Sequence, residues 1–220
     1  MISPAQVLAQ VVDITKPRFP FPTHICVDAN VLYFVFYQSF QQLGAVGGRV
    51  PWQYQTRAYP AWISNALKKG TKLFTTPVVM GEFVQLTEYA ELEAFWLSDP
   101  TTPSGSKFSP LDRKDARYKY WSHLPTIRHH ATTLIASARK IVDLLPKLRS
   151  ESDEMDQAMA QWGGSAGDFA DALLVANGKL VRFLDILSDD ADLLTFDGIT
   201  VHTANRNAIH AALTAGKLVN

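Results

Sequence analysis

The sequence predicts an α/β fold: a three-layer α/β/α arrangement with a central, mostly parallel sheet covered by helices on both faces, plus a helical insertion. Three observations point there. Short apolar runs that suit buried strands alternate with segments of helical spacing, the pattern of βα units. Acidic or small polar residues follow those runs directly, where the loops of a parallel sheet would bind ligands. The chain has 220 residues, 47% apolar and 19% charged, an ordinary globular composition. That supports one large domain or two small ones and excludes intrinsic disorder.

The elements follow in order. Ser3-Pro4-Ala5-Gln6 reads as a helix start, with Ser3 as cap, Pro4 in the first helical position and Gln6 completing a capping box. His24-Ile25-Cys26-Val27 is a short apolar run ending at Asp28, which suits a buried first strand. Residues 29–40 are apolar and aromatic and predict the following helix. Gly44, Gly47, Gly48 and Pro51 mark a loop. Trp62, Ile63, Ala66 and Leu67 sit at helical spacing, and Gly70 stops that helix. Residues 72–75 fit a second strand, and Thr76-Pro77 opens a helix holding Val78, Val79, Phe83, Leu86 and Tyr89.

Residues 98–110, with prolines, serines and a glycine, predict a loop. Ile127, Leu134, Ile135, Ala138, Ile141, Val142, Leu145 and Leu148 then repeat at helical spacing and predict one helix, ended or kinked at Pro146. A polar helix follows and breaks at Trp162-Gly163-Gly164. Ser165 can cap the next helix, 168–177, with Gly178 after its end. Residues 181–187 and 199–203 read as the third and fourth strands. Residues 205–215 close the chain as a helix, with Gly216 beyond it.

Charge balances overall, 21 basic against 21 acidic residues, so the chain lacks the net positive charge of many nucleic-acid binders. The balance hides an asymmetry. Residues 107–149 carry ten Lys/Arg against three acids, and residues 151–197 carry eleven acids against two bases. Two solvated faces would explain it; so would an acidic, cation-holding pocket beside a basic lobe for a polyanion. Cys26 is the one cysteine, so no internal disulfide forms and a reducing compartment is expected. The first residues lack a signal-peptide pattern and no run is long enough to span a membrane, so a cytoplasmic protein is expected.

Carboxylates stand where a parallel fold would gather them. Asp28 follows the first strand, and Asp189, Asp190 and Asp192 follow the third. Glu82 and Asp171 lie inside apolar helical faces, and Asp168 shares a face with Asp171. A carboxylate on an apolar face is costly unless something pairs it. No Lys or Arg lies within four residues of Glu82 or seven of Asp171. Asp28 could simply cap a helix, the 189–192 acids could form a polar turn, and Glu82 could pair with a distant arginine. A bound cation is one way to satisfy these acids, which sit where a parallel fold would converge them, and an all-oxygen donor set suits Mg²⁺ or Mn²⁺.

Val27-Asp28-Ala29-Asn30, Pro77-Val78-Val79-Met80-Gly81-Glu82, Asp168-Phe169-Ala170-Asp171-Ala172-Leu173 and Ser188-Asp189-Asp190-Ala191-Asp192-Leu193 resemble, in order, the four acidic motifs of PIN-domain ribonucleases of the VapC-toxin kind. Residues 194–203 resemble the family's last strand. The likeness covers roughly residues 22–42, 71–92 and 165–207. It implies that Asp28, Glu82, Asp171 and Asp190 are the catalytic, metal-binding acids, that Asn30 and Ser188 orient them, and that Asp168 and Asp192 are further ligands or stand behind the ligands. Ser188 replaces a commoner Thr and Leu193 a commoner Phe. Residues 43–70 and 96–164 look like insertions in a single domain spanning 1–220.

The resemblance implies an Mg²⁺- or Mn²⁺-dependent endoribonuclease that cleaves single-stranded RNA by hydroxide attack on the phosphodiester, leaving 5′-phosphate and 3′-hydroxyl ends. It further suggests the toxin of a toxin–antitoxin pair, with an antitoxin protein as partner; a catalytically silent PIN-fold RNA-binding or partner-binding protein is the alternative. The apolar stripe from Leu134 to Leu148 reads as core or as a seam between two copies of the chain. A haloacid-dehalogenase-type phosphatase also places an Asp after its first strand, but needs a second Asp where this chain has Asn30. Within the long insertion, Arg113, Lys114, Arg117 and Lys119 interleave with Tyr118, Tyr120 and Trp121. Such a segment can follow phosphates and stack on bases, or dock its aromatic side chains into the core. His129 and His130 read as surface residues.

Overall fold

The computed structural model describes residues 3–16, 20–38, 53–102, 107–145 and 151–219. Among the described residues, seven strands form one sheet: β1 Gln10–Asp13, β2 His24–Val27, β3 Lys72–Thr75, β4 Val142–Leu144, β5 Asp185–Leu187, β6 Thr200–Thr203 and β7 Leu218–Val219. Their order is β4-β3-β2-β5-β6-β1-β7. Every pairing is parallel, a stricter arrangement than the mostly parallel sheet expected. All carboxyl ends therefore open on one edge. The chain leaves β2 toward β3 on one side and β5 toward β6 on the other, so the strand order reverses between β2 and β5. In open parallel sheets that reversal is where ligands bind.

Among the described residues, eight α-helices flank the sheet: α1 Ala29–Leu32, α2 Gln53–Lys68, α3 Pro77–Ser98, α4 Pro110–Lys119, α5 Leu124–Ala138, α6 Glu151–Trp162, α7 Phe169–Leu180 and α8 Arg206–Thr214. Helices α3 and α7 pack on each other, α6 packs on α7, and α4 and α5 pack on α3. Helix α8 packs on β1. The core is continuous from Val11, Ile25 and Val27 through Leu73, Phe83, Leu174, Ile186 and Leu187 to Val201. Each such fully buried aliphatic or aromatic side chain contributes roughly 1.5–3 kcal/mol. A second, smaller apolar cluster, Leu92, Ala116, Tyr120, Leu124 and Ile127, attaches the insertion to the outer end of α3.

The helix starts follow local chemistry. Thr76 caps α3 by accepting from the Val79 amide at 3.2 Å, with Pro77 in the first turn. Asp168, not Ser165, caps α7; its Oδ1 accepts from the Ala170 and Asp171 amides. Asn205 caps α8 in the same way. Gly70 and Gly216 lie at φ +87° and +68° just beyond α2 and α8, the left-handed conformation that ends a helix.

Several elements differ from expectation. The start at Ser3 is realised as a single 3₁₀ turn, Pro4–Gln6. Strands β1 and β7 add to the four expected. Residues 141–148 were expected to continue a helix, but α5 ends at Ala138 and Val142–Leu144 pairs with β3. Ile141, Val142 and Leu145 fit a helical period and a short edge strand equally well, and pairing to β3 decides. The 96–164 insertion is therefore not purely helical; it contributes a strand to the sheet. The third strand starts at Asp185, because α7 runs through Gly178 to Leu180 and Arg182 turns the chain at φ 61°. Gly178 lies inside α7 because Phe183 packs close: a Cβ there would stand 2.7 Å from the Phe183 carbonyl oxygen. Helix α1 lasts four residues and widens into a π-helix, Tyr33–Gln38, that stacks Tyr33 on Tyr37 at 5.0 Å. The loop expected at Gly44, Gly47, Gly48 and Pro51, and Pro146 and Leu148, lie outside the described residues.

Candidate functional site

Asp28 leaves the carboxyl end of β2 and caps α1; it is 5% exposed. Its Oδ1 accepts from the Ala29 amide at 2.6 Å. Its Oδ2 accepts from Asn30 Nδ2 at 2.7 Å and from Ser188 Oγ at 2.6 Å. Ser188 stands at the matching end of β5 and in turn accepts from the Asp190 amide at 2.9 Å. Asn30 Oδ1 accepts from the Asp189 amide at 3.1 Å. Two small polar side chains thus stitch the β2 and β5 ends together across the strand-order reversal. Both were expected to orient the acids, and both hydrogen-bond within this group.

The remaining acids surround that stitch. Asp171 lies in the first turn of α7, where its Oδ2 accepts from the Asp168 amide at 3.0 Å. Glu82 lies on α3, six residues and nearly two turns beyond Thr76. Asp190 Oδ1 accepts from the Asp192 amide at 2.8 Å, closing the turn after β5. Electrostatics link them. Burial first, then the charges of Asp190 and Asp168, push Asp28 up to about 6, against hydrogen bonds from Ser188 and Ala29. Burial, then Asp28 and Asp168, push Glu82 up to about 7. Burial, then Asp28, Asp168 and Asp190, push Asp171 up to about 8. Asp192 is also raised, by burial and then by Asp190. Carboxylates shifted upward by one another occupy one low-dielectric neighbourhood.

Among the described residues no Lys, Arg or His forms an ion pair with Asp28, Glu82, Asp168, Asp171, Asp190 or Asp192. The chemistry of the donor set, oxygen only and short of positive charge, fits a hard divalent cation. The arrangement is not a finished cage: among the described residues no three His, Cys, Asp or Glu side chains are placed to hold an ion as they stand. Asp28 uses both oxygens in hydrogen bonds, so ligation there requires the carboxylate to share or exchange its donors.

Asp189 turns away from this group, and sequence reasoning missed what it does. Its Oδ1 accepts from Tyr59 Oη at 2.7 Å; its Oδ2 accepts from Tyr54 Oη at 3.3 Å and from Gln55 Nε2. All three donors lie on α2, within the segment read as an insertion. Asn205 Nδ2 donates to the Asp189 carbonyl at 2.7 Å. No local signal in 189–192 distinguishes this acid from its neighbours, and Tyr54, Gln55 and Tyr59 lie on a helix of mixed polarity that does not single them out.

The basic segment on α4 is largely engaged within the chain. Arg117 pairs with Glu88, which is buried and also takes Arg128 at 3.3 Å. Arg113 lies over the Tyr89 ring at 4.2 Å. Lys119 pairs with Asp99 at 2.9 Å. Lys114 is exposed. Of the aromatic residues, Tyr120 docks inward and bonds Asp99 at 2.9 Å, whereas Tyr118 and Trp121 are 70% and 69% exposed. His130 contacts Glu91 at 2.9 Å, and His129 is exposed. Among the described residues no helix is long and apolar enough to cross a membrane. No family model matches the sequence, and no curated protein is similar to it.

Proposed function

We propose that this chain is a PIN-like endoribonuclease that depends on Mg²⁺ or Mn²⁺ and acts on single-stranded RNA. One observation carries the reading: Glu82 and Asp171, from two separate helices, are each pushed up by burial and then by the charges of Asp28 and Asp168, and Asp28 itself is buried at the strand-order reversal, with no basic partner for the three among the described residues. A fold retains such an arrangement at a cost in stability, and perturbed carboxylates in one cleft mark functional sites.

Asp28, Glu82, Asp171 and Asp190 would hold the ion, with Asp168 and Asp192 beside them. A divalent ion bound there supplies Lewis acidity and neutralises charge on the oxygens of an in-line phosphodiester hydrolysis. The chain's own residues do the rest. Ser188 and Asn30 aim the Asp28 carboxylate. Asp171 and Glu82 retain protons near neutral pH without metal and release them as a cation enters. The exposed rings of Tyr118 and Trp121, with Lys114 nearby in sequence, offer bases a stacking surface.

A second reading, a catalytically silent PIN-fold protein that binds RNA or a protein partner, draws on the unfinished arrangement of the donors. One experiment separates the two. End-labelled single-stranded RNA is incubated with the protein and Mn²⁺, Mg²⁺ or EDTA, beside Asp28→Asn. The nuclease reading expects metal-dependent fragments with 5′-phosphate ends, absent with EDTA and with Asp28→Asn. Intact RNA in every lane, with binding retained, supports the silent protein.

A further inference from the structure

We infer that Tyr59 is a positioning residue for the turn after β5: its hydroxyl pulls the Asp189 carboxylate outward, so that Ser188 and Asp190 face Asp28. Tyr59 is fully buried in the middle of α2. Its Oη donates to Asp189 Oδ1 at 2.7 Å, with the Ser188 carbonyl as a second acceptor at 3.1 Å. The same oxygen accepts from the Ala204 amide at 3.1 Å and lies 3.2 Å from Thr203 Oγ1. One hydroxyl therefore touches the ends of both β5 and β6. Gln55 and Tyr54 hold the second Asp189 oxygen, and Asn205 holds the Asp189 carbonyl.

The geometry explains why two adjacent aspartates do different work. Consecutive side chains in the turn point apart; if Asp189 swung inward, Ser188 Oγ would lose its placement between Asp28 Oδ2 and the Asp190 amide. Helix α2 is thus a brace for the site, not an appendage. In this account Asp189 accepts hydrogen bonds and holds no metal. The inference rests on the metal-site reading of this turn, but its test includes a readout that needs no metal.

The test is amide hydrogen exchange on metal-free protein, followed by Mn²⁺-dependent thermal shifts, for wild type, Tyr59→Phe and Asp189→Asn. Tyr59→Phe removes one hydroxyl and keeps the ring. The amides of Asp189 and Asp190 should exchange about tenfold faster, the size of one lost hydrogen bond to a charged group. The amides of α7 should be unchanged. The Mn²⁺ concentration giving half the thermal shift should rise several-fold. Asp189→Asn keeps an acceptor for Tyr59, and Gln55 can turn its amide to match, so it should bind Mn²⁺ like wild type. Unchanged exchange at Asp189 and Asp190 in Tyr59→Phe overturns the inference, whether or not metal binds. So does loss of the Mn²⁺ shift in Asp189→Asn with exchange at residues 189 and 190 unchanged, which would make Asp189 a ligand. If the turn loosens as expected but wild type shows no Mn²⁺ shift, the brace stands and the nuclease reading fails.

Discussion

Ser188 Oγ donates to Asp28 Oδ2 at 2.6 Å, joining residues 160 positions apart at the ends of two neighbouring strands. Asp28 is buried and lies near other negative charge, so the bond supports an ionised form that its surroundings disfavour. Ser188→Ala should therefore cost about 1.5–3 kcal/mol at pH 8, the value of a hydrogen bond to a charged group. Asp28→Asn keeps an acceptor for the Ala29 amide and removes a repelled charge, but it puts an amide donor where Oδ2 accepts from Ser188 and Asn30, so the two effects oppose each other and any loss of melting temperature should be smaller at pH 8 than at pH 5. Thermal denaturation of the two variants compares them directly. A large loss of stability in Asp28→Asn would make Asp28 a structural cap.

The raised acids give metal-free stability a definite pH dependence. Asp28, Glu82 and Asp171 reach about 6, 7 and 8 in the folded chain, against roughly 4 when unfolded. Between those limits the folded state binds more protons than the unfolded state, so stability falls as pH rises. The metal-free protein should melt at a higher temperature at pH 5 than at pH 8, and Asp171→Asn should flatten the difference. Asp99, held low by hydrogen bonds from Thr101 and Lys119, acts in the opposite sense only below its unfolded value. Calorimetry across pH 5–8 in EDTA measures the slope.

Much of the frame was legible in the sequence. The runs at 24–27 and 72–75 read as strands because buried parallel strands are short and apolar, and Asp28 stood out because it ends one. Strand β4 was hidden because its spacing continues that of α5. Strand β1 was hidden because the capping-box pattern of Ser3–Gln6 announces a helix just before Val11 and Val12; pairing with β6 and β7 defines the strand. The acids were legible one by one as unpaired charges on apolar faces. The Asp189 brace was not, because its donors lie about 130 residues away and only folding brings them together.

The basic segment divides into residues that hold the insertion and residues that face solvent. Arg117→Ala should cost about 1 kcal/mol of stability, modest because the pair with Glu88 is partly exposed. Trp121→Ala and Tyr118→Ala should alter stability by less than about 0.5 kcal/mol. If they stack on bases, each should weaken single-stranded RNA binding by about 1–3 kcal/mol. Fluorescence anisotropy with a labelled oligonucleotide reads the binding. Unchanged affinity in both aromatic variants removes this surface from the RNA path.

Gly167 precedes Asp168 in a crowded corner. A Cβ there would stand 2.6 Å from the buried Phe196 ring and 3.0 Å from Asp171 Oδ2. Gly167→Ala should destabilise by roughly 1–3 kcal/mol through overpacking and displace the Asp171 carboxylate. Gly164→Ala, where a Cβ meets nothing within 4 Å, is the matched control and should change little. Comparing their melting temperatures and cleavage rates tests whether the α7 start is held as tightly as the packing indicates.

Direct titration of metal-free protein with Mn²⁺ tests the central claim most closely. Isothermal titration calorimetry at pH 7, repeated in two buffers of different ionisation enthalpy, reports affinity and proton release together. The account predicts saturable binding by wild type with protons released, because Asp171 and Glu82 hold protons near neutral pH before the ion enters. Asp171→Asn should lose most of the affinity and part of the proton release. Absence of saturable binding by wild type, or equal binding by wild type and Asp171→Asn, would contradict a metal centre at these carboxylates.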